Sequence, residues 1–150
     1  MKIKFIILLL LFPLTAISSP MDVMNKFYGN YKVTDAKRYS GGLTDDADAK
    51  LKIGMIYSVC PGAFKGLRGS LYQPLYDFSS TPYTLEDGVV ESKNYSTYYG
   101  FYNDRKSIDV VSIVDSKSKE TYTFFEIIDS NTILTSFDGF IYIMRFEGKC

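Results

Sequence analysis

Without a histidine anywhere in its 150 residues, the chain has no Ser-His-Asp or Cys-His arrangement with which to activate a nucleophile. It also lacks the commonest general base and metal ligand near neutral pH. Carboxylates are the remaining candidates. Asp45, Asp46 and Asp48 stand close enough to gather a hard cation, but the run has neither the glycine nor the distal glutamate of a calcium loop. Acids complementing the positive end of a helix explain them better. Glu86-Asp87-Gly88 reads as turn material. A pair of carboxylates cleaving a glycosidic bond need only meet in space, and no spacing here points to such a pair. The expectation is a protein that is not an enzyme, with no cofactor and no metal.

"KGLRG", Lys65 to Gly69, sets two cations among glycines, as an anion cradle would. It lacks the Gly-Lys-Ser/Thr opening of a helix that gives a phosphate loop its mechanism, so a solvated loop is the plainer reading. The two cysteines, Cys60 and Cys150, lie 90 residues apart. In an oxidising compartment an even pair reads first as a disulfide, which would stabilise by roughly 4 kcal/mol on the chain-entropy model. One thiol per partner molecule, or a reactive nucleophile, is the alternative.

The stretch that stands above its surroundings is "YSTYYGFY", with Tyr95, Tyr98, Tyr99, Phe101 and Tyr102 interleaved with serine, threonine and glycine. Tyrosine offers a large contact area at low rotamer entropy and keeps a hydroxyl for hydrogen bonding. These five residues are the candidate binding surface; the competing reading is a strand whose rings fill the core. Alternation would send Tyr95, Tyr99 and Phe101 to the core face and leave Tyr98 and Tyr102 outside.

The elements that must carry these residues follow an apolar leader. Lys2 and Lys4 precede an unbroken apolar run from Phe5 to Phe12, and Ala16-Ile17-Ser18 gives a small-x-small signal. This is the pattern of a secretory signal peptide cleaved after Ser18. Pro13 interrupts the run well short of the roughly 20 apolar residues of a spanning helix, so no stable membrane anchor is expected. Cleavage leaves residues 19–150 as a single domain, with 15 basic against 17 acidic residues. A charge of −2 makes no electrostatic case for nucleic acid, and no basic amphipathic helix is present to lie on a membrane. The localisation expected is periplasmic or secreted.

Thr44 to Gly54 predicts one short helix, capped by Thr44 and stopped by Gly54. Met55 to Cys60 predicts a strand ending at Cys60-Pro61-Gly62. Residues 61 to 94 show no clear period, with Pro74 and Pro82 confining any pairing to edges or turns. The later third is a meander: strands over 107–114, 121–128, 132–137 and 140–146, separated by "DSKSKE", "DSN" and "DG". Asp138-Gly139 is the strongest hairpin signal. Aromatic richness, with 13 tyrosines and 11 phenylalanines, also favours β structure. The fold class expected is all-β, an antiparallel barrel or a two-sheet β-sandwich.

The stretch "KFYGNYKV", residues 26 to 33, carries a resemblance. A glycine, one residue and an aromatic on the first strand, with an arginine late in the last strand at "IYIMRFEG", resembles the lipocalin-like (calycin) β-barrel family, with tyrosine where that family usually has tryptophan. The resemblance implies that Gly29, Tyr31 and Arg145 close one end of the barrel, the guanidinium packing across the ring. It also implies that Cys60–Cys150 ties the chain's end to a mid-barrel strand. Taken with the leader and the absent catalytic groups, the expected function is an exported, non-catalytic binding protein. The first reading is a periplasmic inhibitor or immunity protein that neutralises a protein partner, such as an enzyme or toxin acting on the cell envelope. The resemblance implies the alternative, a carrier of a small apolar ligand.

Overall fold

The computed structural model of the chain describes residues 20–82 and 105–150. The leader up to Ser18 and the whole of Tyr95–Tyr102 lie outside the described residues. A helix α1 (Pro20–Phe27) leads into strand β1 (Gly29–Arg38), followed by helix α2 (Asp46–Lys50) and strands β2 (Ile56–Cys60), β3 (Ala63–Gly66), β4 (Gly69–Tyr72) and β5 (Leu75–Pro82). The second part holds β6 (Ser107–Val114), β7 (Thr121–Asp129), β8 (Thr132–Phe137) and β9 (Phe140–Gly148).

All nine strands belong to one antiparallel sheet, in the order β4-β3-β2-β1-β9-β8-β7-β6-β5. Every strand therefore pairs with its neighbour in sequence, except that β1 pairs with β9 while β4 and β5 stand at the two edges. The sheet curls into a half-barrel. Among the described residues one sheet stands in place of the two-sheet sandwich, and no β4–β5 ladder closes the expected barrel along the seam between those strands. Pro74 sits in that seam, where no backbone N–H is needed for pairing. A side chain of β5 reaches across to β2: the Tyr76 hydroxyl donates to the Cys60 carbonyl at 2.6 Å.

The concave face is packed with rings. Phe125 on β7 is fully buried and lies 6.1 Å from Phe27, 5.8 Å from Tyr57 and 6.0 Å from Phe64, centroid to centroid. Strand alternation puts Tyr31, Val33, Val59, Ile133, Tyr142 and Met144 in the same cluster. Burying each such side chain contributes about 1.5–3 kcal/mol, so the middle of the half-barrel is a filled core. Leu134, Ile141 and Ile143 form a smaller buried cluster on the opposite face of β8 and β9.

Turn chemistry explains the meander. Asp138 and Gly139 both have positive φ, +46° and +84°, as a two-residue turn matching strand twist requires. The carboxylate of Asp138 also accepts from Leu43 N–H, Thr44 N–H and the Thr44 hydroxyl. Thr44 is thereby engaged, and Asp45 takes the expected capping role, accepting from Asp48 N–H at 2.7 Å. Asp46 pairs with Arg38 at 2.8 Å. Two of the three carboxylates are thus engaged, Asp45 in the cap and Asp46 in the ion pair, while Asp48 supplies its backbone N–H to the cap.

The predicted disulfide is present. Cys60, at the end of β2, bridges Cys150 with Cα atoms 5.9 Å apart. It fastens the segment after β9 onto the strand on the far side of β1.

Candidate ligand cleft

At the α1 end of the half-barrel the ring-packed core stops, and a cleft of about 470 Å³ opens. Its wall is apolar: Val23 and Phe27 from α1, Tyr31 from β1, Ile127 from β7, Ile133 from β8 and Phe146 from β9. Lys26, Asp129, Ser130, Asn131 and Lys149 complete its lining. Helix α1 is amphipathic by its sequence, since Val23, Met24 and Phe27 recur at i, i+1 and i+4. Met24 and Phe27 go into the core, while Val23 stays half-buried over the cleft.

Two interactions hold this end together. The Tyr31 hydroxyl donates to the Phe27 carbonyl at 2.6 Å, a buried bond joining the ring of β1 to the end of α1. The Lys149 ammonium donates to the carbonyls of Asn25, Lys26 and Tyr28 at 2.9, 3.2 and 3.1 Å. These are orphan carbonyls at a helix C-terminus, where a cation is also favoured by the dipole. Burial pushes the Tyr31 phenol up to about 12, so its hydroxyl stays a donor at neutral pH. The polar rim is built by the β7–β8 turn, where Asp129 accepts from Asn131 N–H and the Thr132 hydroxyl.

The barrel-closing trio is placed differently from the expectation. Gly29 is buried, and a Cβ there would meet Phe146 Cε2 at 2.3 Å and the Gly148 carbonyl oxygen at 2.8 Å, so the close approach of β1 to β9 needs a glycine. Tyr31 faces the concave side against Phe146, with ring centroids 5.6 Å apart. Arg145 does not pack across Tyr31. The register sets Tyr31 opposite Phe146 and Lys32 opposite Arg145. Successive residues alternate faces, so Arg145 is on the convex side, where its guanidinium donates to the Thr132 hydroxyl. A phenylalanine ring closes the contact expected of the guanidinium.

Lys65–Gly69 is the β3–β4 hairpin, with Gly66 paired to Gly69 around Leu67-Arg68. Arg68 stacks over the Tyr122 ring, 5.4 Å from its centroid, and donates to the Tyr122 carbonyl at 3.1 Å. It acts as a clamp between the edge hairpin and β7. A recess of only about 90 Å³ lies beneath it. The cleft itself escaped sequence reading because its wall draws common apolar residues from five separate elements. The one readable signal was the amphipathic spacing of α1. No family model, curated protein or solved structure matches this chain.

Proposed function

We propose that the protein is an exported, non-catalytic binding protein whose cleft at the α1 end takes a small, largely apolar ligand. The observation that carries this reading is the cleft of about 470 Å³, within the roughly 300–1,000 Å³ range of small-molecule sites. Its apolar wall would hold a hydrocarbon body, and its polar rim would meet a hydrogen-bonding head. The resemblance to lipocalin-like barrels supports the same reading. The leader and the Cys60–Cys150 bridge fit an oxidising compartment outside the cytoplasm.

Titrating the exported protein with a fluorescent fatty-acid analogue tests the proposal. Saturable one-to-one binding is expected, and Val23→Trp, which fills the cleft from its half-buried rim, should abolish it. Absence of probe binding by a folded protein, or binding unaffected by Val23→Trp, would overturn it.

The protein-neutralising reading keeps one observation of its own. Strand β4 stands at the sheet edge, paired with β3 and with no strand on its outer side among the described residues, and its Tyr72 is 80% exposed. A partner could add a strand there. Capture of an envelope hydrolase or toxin from periplasmic extract, lost with Tyr72→Ala, would favour this reading over the carrier.

A further inference from the structure

The corner between α2 and β2 is unlike the rest of the surface. Within residues 50–56, Leu51 is 78% exposed, and Ile53, Met55 and Ile56 are each more than 40% exposed. They alternate with Lys50 and Lys52, and exposed Lys32 is the Cα partner of Ile56 on the neighbouring strand. The corner is held in shape: Val33 uses both its backbone groups on it, accepting from Gly54 N–H at 2.8 Å and donating to the Met55 carbonyl at 2.9 Å. Helical bonds from Lys52 N–H to the Ala49 carbonyl and from Ile53 N–H to the Lys50 carbonyl continue the turn. The apolar side chains are thus presented on a fixed backbone.

Charge distribution singles out the same region. From Ala49 to Tyr76 the chain carries Lys50, Lys52, Lys65 and Arg68 and no carboxylate, leaving 11 cations against 17 acids in the rest of residues 19–150. A basic segment on an otherwise acidic molecule is drawn toward an anionic surface. On α2 beside the corner, Asp45 caps the helix, Asp46 pairs with Arg38, and the Lys52 ammonium donates to the backbone carbonyl of Asp48 at 3.3 Å.

We propose that this corner docks the protein reversibly on an anionic lipid surface. Leu51, Ile53 and Met55 would enter the headgroup–acyl boundary while Lys50, Lys52 and Lys32 meet lipid phosphates, their stems lying along the apolar contact. The composition favours lipid over a protein partner. Protein interfaces are depleted in lysine, and their energetic anchors are enriched in tryptophan, tyrosine and arginine rather than leucine. The corner offers leucine, isoleucine, methionine and lysine. Docking of this kind is peripheral and needs neither a membrane anchor nor a basic helix.

Co-sedimentation of the exported protein with vesicles provides the test. Binding is expected to phosphatidylcholine vesicles containing about one-third phosphatidylglycerol and not to phosphatidylcholine alone, and to weaken in about 1 M salt, where the Debye length is about 3 Å. Leu51→Ser with Ile53→Ser should weaken binding at least about tenfold. Lys50→Gln and Lys52→Gln should each weaken it about fivefold. All four side chains are on the surface, and an unchanged melting temperature checks that the fold persists; the lysine variants carry the test if the apolar pair does not fold. Equal binding to both vesicle types, no binding to either, or binding unmoved by these substitutions would overturn the proposal. A protein retained through this corner in the absence of vesicle binding would overturn it in favour of a protein surface.

Discussion

Tyr31 and Phe27 are joined twice, by a 2.6 Å hydrogen bond from the phenol to the Phe27 carbonyl and by rings whose centroids lie 5.8 Å apart. The pair fixes α1 to β1 and forms part of the cleft wall. Tyr31→Phe keeps the ring and strands the buried carbonyl, which should destabilise the fold by about 1–2 kcal/mol. Urea denaturation of the variant checks the value. Loss below about 0.5 kcal/mol would mean that water replaces the phenol at that carbonyl.

Alkaline pH should act on the same residue. The Tyr31 phenol titrates at an ordinary 10.0 when unfolded and at about 12 in the fold, because burial disfavours the phenolate. The group binds its proton more tightly when folded, so its contribution is complete below pH 10 and is lost as pH rises toward 12. Tyr57 and Tyr76 are raised in the same direction by burial. Stability measured across this range should fall, and the part of the phenolate absorbance that belongs to the buried tyrosines should appear together with unfolding.

Acid should loosen a different place. The carboxyl of Asp138 lies below its ordinary 3.8 because it accepts from the Thr44 hydroxyl first, then from the N–H groups of Leu43 and Thr44, with the Arg38 charge adding to the effect. A depressed acid stabilises above its unfolded value and loses that contribution as pH falls through the folded one. Amide exchange at Leu43 and Thr44 should accelerate below about pH 3.8, whereas the β8–β9 ladder should stay protected. Asp138→Asn should produce the fast exchange already at neutral pH.

Reducing Cys60–Cys150, or replacing both residues with serine, should remove about 4 kcal/mol on the chain-entropy account. Thermal melts with and without reductant measure the difference. Peptide mapping without reductant should recover the two half-cystines in one fragment pair.

The second half of the fold was legible because period-two apolar runs and polar turns coincide there. Ser107–Val114 and Thr132–Phe137 are strands at the residues where the pattern places them. The segment from Ala63 to Tyr72 was not legible, since two four-residue strands containing Gly66 and Gly69 are too short to display a period. Helix α1 was hidden by its position directly behind the leader, where composition is read for processing rather than for packing. Tyr31 is buried on β1, but the ring it meets is Phe146 and not the Arg145 guanidinium. The β1–β9 register decides whether Arg145 or Phe146 meets it, and a shift of one residue reverses the faces.

The pairing of β1 with β9 also imposes an order in time. Asn30 and Lys149 touch across a sequence separation of 119 residues, so β1 gains the partner on that flank only after β9 has been made. The intervening strands can form hairpins locally, but the curl that places Phe125 against Phe27 waits for a long-range closure, which is intrinsically slow. Until that closure the flank of β1 that β9 will cover stays an open strand edge, available to any other strand that reaches it first.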